Sequence, residues 1–172
     1  MSRASDGFPP PLVVVIDTSV LIAMKRIPPL DRQWGRLEQM IDLVDGGDLC
    51  FPRQVPRELE VAQHPDAPGA WAAHCKRRGR HPQPTDEALA EVLDVAPLLV
   101  DSEAESDTAD AHVAAMAYEL RERYGEAVRV VVATNDFVDR LPVKESLTGA
   151  CAKLGIETWK PDEFVEWLDG MA

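Results

Sequence analysis

The chain has 172 residues, 45 % hydrophobic and 28 % charged, and its 30 acidic against 18 basic side chains give a formal net charge of −12. That size suits one well-buried core rather than two ordinary domains, and no apolar run reaches the roughly 20 residues of a membrane helix. The acidic balance argues against tight nonspecific binding to long nucleic acid, whose affinity comes largely from Lys and Arg displacing counterions, but not against a nuclease whose acids are loaded with divalent ions. The N-terminus lacks the layout of a signal peptide. A cytoplasmic protein is expected, with a disordered proline-rich tail over residues 1–11 and one domain over residues 12–172. Cys50, Cys75 and Cys151 lie far apart without a C-x-x-C pair, so they read as reduced thiols, not a disulfide framework or zinc site.

In chain order, residues 13–16 (VVVI) form an apolar run biased to β-branched residues, which predicts a strand covered on both faces. Trp34, Leu37, Ile41 and Val44 recur at helical spacing until Gly46 and Gly47 stop the segment. A short strand is predicted at 49–51, then a helix whose first turn suits Pro56 and which carries Glu58 and Leu59. Helices follow near 71–78 and over 86–95, the latter with Thr85 as N-cap and Asp86 and Glu87 in its first turn. After the acidic stretch DSEAESD, residues 108–124 make an alanine-rich helix closed by Gly125. VRVVVAT (128–134) is a second buried strand. A helix around 145–154 ends at Gly155, IETW is a short strand, and Pro161 opens a last helix whose Phe164, Val165 and Leu168 face the core. This alternation predicts an α/β fold with a parallel sheet.

The two buried strands end in VVVID-TS and VVVAT-ND, so each delivers an acid, Asp17 or Asp136, at its carboxyl end, the edge where α/β sheets bind ligands. Taken alone, Asp17 can be a helix cap for the apolar run VLIA, worth about 1 kcal/mol. If the strands are neighbours, about 4.8 Å apart, two ionised carboxylates repel by roughly 3–4 kcal/mol at an effective dielectric near 20. Then either one acid holds a proton or a cation sits between them. Asp110, in the first turn of the alanine-rich helix, reads equally as a ligand or as the N3 member of a box capped by Asp107. Glu58 as a lone residue reads as a solvated surface acid, and its neighbour Glu60 as the more solvent-facing of the two. Oxygen donors from such scattered segments suit Mg²⁺ or Mn²⁺. His64, His74, His81 and His112 show no metal-binding spacing, and phosphate-loop, dinucleotide and nucleophile-elbow motifs are absent.

These residues resemble a PIN-domain nuclease, the fold of the VapC-type toxins, over nearly the whole chain from residue 13 to 168. The opening motif stands as Ile16-Asp17-Thr18-Ser19, the second acid as Glu58 in PRELE, the third as Asp110 in ADAHVAAMA, and the closing motif as Thr134-Asn135-Asp136 before Phe137. The insertion with WAAHCKRRGR and the tail GACAKLGIETWKPDEFVEWL resemble a poorly characterised PIN subgroup more than the compact toxins. The resemblance implies a three-layer α/β/α sandwich with a central, mostly parallel sheet, and hydrolysis of single-stranded RNA. Asp17, Glu58, Asp110 and Asp136 would be the catalytic ligands of one or two Mg²⁺ or Mn²⁺ ions. Ser19 and Thr134 would fix the carboxylates, Asn135 would touch substrate, and Asp107 and Asp139 stand in reserve. The toxin branch brings an antitoxin protein as partner, with a homodimer as the other assembly expected.

Arg53 and Arg57 stand one helical turn apart and, with Lys76, Arg77 and Arg78, could track the RNA backbone; a cluster of this kind can also be simply solvated. The enzymatic rival is a haloacid-dehalogenase-like phosphatase, whose chemistry needs a second acid two residues after the nucleophilic Asp, where this chain has Ser19. The other rival is a non-catalytic binding module with Trp159 and Trp167 as exposed contact points, although Trp at those spacings more often closes a core.

Overall fold

A computed structural model describes residues 11–60, 66–101 and 108–172. Residues 1–10 of the expected tail, His64 and Asp107 lie outside the described residues. Four strands, β1 (Leu12–Ile16), β2 (Leu49–Cys50), β3 (Arg129–Ala133) and β4 (Glu157–Trp159), form one wholly parallel sheet in the order β2-β1-β3-β4. β1 and β3 pair along their full lengths, from Leu12 opposite Arg129 to Ile16 opposite Ala133. Val13, Val14, Val15 and Ile16 are fully buried, as are Val131, Val132 and Ala133. Each such Val or Ile side chain contributes about 1.5–3 kcal/mol by leaving water, an upper figure because the unfolded chain already hides part of this surface. A charge introduced at Val14 would remove that gain and strand itself without a partner.

Eight α-helices accompany the sheet among the described residues: α1 (Thr18–Met24), α2 (Gln33–Gly46), α3 (Gln54–Glu60), α4 (Ala67–Cys75), α5 (Asp86–Val95), α6 (Ala109–Tyr124), α7 (Leu147–Lys153) and α8 (Pro161–Gly170). α1 and α2 both touch α8, whereas α6 touches α5, α7, β1 and β3. None is long and apolar enough to cross a membrane. The chain leaves β1 toward β2 on one side and later returns to β3 on the other. The strand order therefore reverses between β1 and β3, and the crevice beyond their carboxyl ends is the switch point at which open parallel sheets take ligands.

Local signals fixed several boundaries. α5 spans the predicted residues, with Thr85 Oγ1 accepting from Ala88 N at 3.2 Å. α2 closes at Gly47, whose φ of 86° is costly for any side chain but glycine's hydrogen, and Gly47 N–H returns to the last-turn carbonyls. Other expectations are corrected. Trp34 is 65 % exposed, and the buried face of α2 runs through Arg36, Leu37, Met40, Leu43 and Val44. Arg36 causes this rotation: its guanidinium donates to Asp169 and to the carbonyl oxygens of Ile27, Pro28 and Pro29, so the helix turns a cation inward. α4 ends at Cys75, short of Arg78, and α7 starts at Leu147, because the Ser146 hydroxyl accepts from Gly149 N at 3.0 Å and caps it. Trp159 and Trp167 are not exposed contact points: they are half-buried, with ring centroids 5.8 Å apart, and Trp167 also packs on Phe164. All three cysteines are buried free thiols, and burial pushes Cys75 up to about 11 and Cys151 up to about 12.

A candidate metal-binding site at the switch point

Asp17 follows β1 directly and is 3 % exposed. Its N–H extends the ladder by donating to Ala133 O at 3.0 Å, so its Cα is fixed by the sheet. The cap reading holds weakly, since Ser19 N reaches Asp17 Oδ2 only at 3.4 Å. The stronger partners are hydroxyls: Ser19 Oγ and Thr134 Oγ1 both donate to Asp17 Oδ2, at 2.5 and 3.1 Å. Backbone groups fix these proton directions. Asn135 N donates to Ser19 Oγ at 2.8 Å and Asp136 N donates to Thr134 Oγ1 at 3.0 Å, which leaves each hydroxyl hydrogen for the carboxylate.

The other three acids reach the same edge from separate elements. Asp136 is half-buried just past β3, and its Oδ2 accepts from Leu147 N, the first amide of α7, at 2.9 Å. Asp110 is the second residue of α6 and is 9 % exposed, and its Oδ2 is paired with the ammonium of Lys144. Glu58 is half-buried, not a solvated acid, and its Oε1 accepts from Ala109 N at 2.7 Å. Glu58 thus caps α6 from a distant element, while Thr108 at the N-cap position makes no side-chain bond to the helix. Glu60 is exposed and pairs with Lys76.

Electrostatics tie the four together. Burial, then the neighbouring Asp110 charge and also Glu58, push the Asp17 carboxyl up to about 6, against the pull of the two hydroxyl donors. Asp110 is also raised, first by burial and further by Asp136 and Glu58, with Lys144 opposing. Each carboxylate gives one oxygen to the protein, and among the described residues no hydrogen bond reaches the other. As they stand, no three acidic, histidine or cysteine side chains among the described residues enclose a position for an ion.

The reserve acid Asp139 does not join the cleft: its Oδ1 accepts from Ser146 N and Ser146 Oγ, at 2.8 and 2.7 Å. Asn135 is exposed. The basic residues divide. Arg53, Lys76, Arg77 and His81 line a surface cavity of about 310 Å³ with no carboxylate in its described walls. A second cavity, of about 240 Å³, shares Arg53 and Gln83 with it and extends to Gln54, which opens α3, and to His112, two residues past Asp110 on α6. Arg57 is exposed and lines neither, and Arg78 is paired with Asp45. Lys144 and Gln83 are the residues that sequence reasoning missed. Neither stands in a recognisable spacing, and each arrives through loop closure. No protein-family model matches the chain, and no curated protein matches it.

Proposed function

We propose that the protein is a cytoplasmic, Mg²⁺- or Mn²⁺-dependent endoribonuclease of the PIN type, with Asp17, Glu58, Asp110 and Asp136 as its metal ligands. The observation that carries the reading is that these acids, from four separate segments, approach the switch point of a parallel sheet closely enough that, beyond burial, their charges raise Asp17 and Asp110. The donor set fits a hard cation: all oxygen, each carboxylate anchored through one oxygen, and a mutual repulsion that a divalent charge would relieve. A three-layer α/β/α sandwich is the architecture that right-handed crossovers running both ways from β1 favour, and the separate contact groups of α1, α2, α8 and of α5, α6, α7 support it.

A divalent ion bound there supplies Lewis acidity toward a phosphodiester and activates water for its hydrolysis. The chain does the rest. Ser19 and Thr134 hold Asp17 in one orientation, Leu147 N–H holds Asp136, and Ala109 N–H holds Glu58. Neither cavity is lined by the four acids, and the second carries Asp86, but the first has Arg53, Lys76 and Arg77 in its wall, cations that suit the phosphates of a single strand. Exposed Asn135 faces substrate at the rim.

A dehalogenase-type phosphatase fits less well, because the position its second acid would take is Ser19, whose hydroxyl is committed to Asp17 and Asn135. The test is Mn²⁺-dependent cleavage of single-stranded RNA, with a small phosphate ester as comparison. The expected result is RNA cleavage that EDTA stops and that Asp17→Asn and Asp136→Asn abolish without loss of fold. Activity surviving in either variant, or turnover of the ester alone, would overturn the assignment. A toxin role with an antitoxin partner is the biological setting proposed. Co-purification of a tight inhibitory partner would support it, and a homodimer is the alternative assembly.

A further inference from the structure

Lys144 sits in the acid cleft without belonging to the ligand set, and its placement is built in. The segment between β3 and α7 is closed on itself. Arg140 N–H donates to Lys144 O at 2.8 Å and Lys144 N–H to Arg140 O at 3.1 Å. The next residues are also anchored, Glu145 N to Leu98 O at 2.8 Å, Ser146 N to Asp139 and Leu147 N to Asp136. The Lys144 Cα is therefore held in place, and the freedom left lies in its unbranched stem of four carbons. Asp110, on the first turn of a 16-residue helix packed on β1 and β3, cannot retreat. The two side chains meet at 14 % and 13 % exposure, where water screens their attraction little. Asp136 also attracts the ammonium.

An ion binding Asp110 meets a cation already there. Resting on the reading of the cleft as a metal site, we propose that Lys144 is the resident counter-ion of Asp110 and that an entering divalent ion must displace its ammonium. Lys144 then sets the metal affinity of the cleft. In the metal-free protein its ammonium partly offsets the cost of burying the Asp110 carboxylate.

Two measurements on the full chain test this. Mn²⁺ binding is followed by the loss of the free-ion paramagnetic resonance signal for wild type, Lys144→Met and Asp110→Asn. If Lys144 holds Asp110 nine-tenths of the time, Lys144→Met binds about tenfold tighter. Asp110→Asn binds more weakly than wild type. On the unaltered protein, acylation of Lys144 by an amine-reactive reagent, read by peptide mass, becomes faster on adding Mn²⁺. Lys25, in an exposed pair with Asp66, serves as the control that does not change. Equal Mn²⁺ affinity in wild type and Lys144→Met, or an acylation rate indifferent to the ion, overturns the displacement and leaves the metal site standing. Absence of Mn²⁺ binding in both overturns the nuclease reading and the displacement with it. Because acylation needs no variant, a Lys144→Met protein that fails to fold does not shield the idea.

Discussion

Thr134 and Asp17, 117 residues apart, share a buried hydrogen bond of 3.1 Å across the ends of adjacent parallel strands. The bond holds a carboxylate that burial and its acidic neighbours would prefer protonated, and this tension has measurable consequences.

The folded-state pKa of Asp17, about 6, lies above its ordinary 3.8. The native state therefore binds this proton more tightly than the unfolded chain, and the stability it contributes is full below about pH 4 and lost as pH rises through 6. Two pKa units correspond to about 3 kcal/mol, a net figure in which the pull of the two hydroxyl donors is already included. Asp17→Asn is expected to stabilise the metal-free protein by about 1–3 kcal/mol at pH 7.5 and by much less at pH 4.5. Urea unfolding at both pH values measures this, and an advantage of equal size at the two would contradict the raised pKa.

Ser19→Ala and Thr134→Val each remove one donor to Asp17 and one acceptor for a backbone N–H. Mn²⁺-dependent cleavage is expected to fall about 10- to 100-fold in each, in the range of lost metal-orienting partners. Stability is expected to fall by only about 1 kcal/mol. Steady-state rates set beside melting curves separate the two, and wild-type rates in either variant would remove the hydroxyls from the site.

Glu58 caps α6 by accepting from Ala109 N, and substitution can separate this from its proposed role as a metal ligand. Glu58→Gln keeps an oxygen for Ala109 N–H and should leave α6 intact, whereas Glu58→Ala should cost about 1 kcal/mol for the lost cap. Both should weaken Mn²⁺ binding. If Glu58→Gln binds the ion like wild type, Glu58 is a cap alone.

Arg53 and Arg77 line the carboxylate-free cavity, while Arg78 is engaged with Asp45. Replacing Arg53 and Arg77 together by Ala should weaken binding of a single-stranded RNA and lower its log–log salt slope by about 1.4. Arg78→Ala should leave that slope unchanged. Fluorescence anisotropy across a salt series decides, and identical slopes for all three proteins would take the cavity off the RNA path.

The parts of this architecture legible in the sequence were those written in adjacent residues. VVVI and VVVA announced strands buried on both faces because no polar residue interrupts them. Thr85 announced α5, and Asp17 and Asp136 stood visibly at strand ends. What stayed hidden depends on residues far apart along the chain. Trp34 fits the helical period yet faces solvent, since the inward face of α2 is set by Arg36 reaching Asp169, 133 residues on. Glu58 looked like a surface acid because the helix it caps begins 51 residues later. Lys144 reaches Asp110 only because the Arg140–Lys144 bridge folds the connecting segment back, and nothing in LPVKES encodes a target for its ammonium.

The amides at the rim of the cleft belong to the ladder, Asp17 N–H on Ala133 O and Thr134 N–H on Trp159 O. Exchange of these hydrogens for deuterium requires the central strands to part, so they should persist as long as those of Val14 and Val132. A molecule built this way cannot loosen this end of its sheet without opening its heart, and whatever adjusts to an arriving guest must do so through side chains and through the turn beyond Thr134.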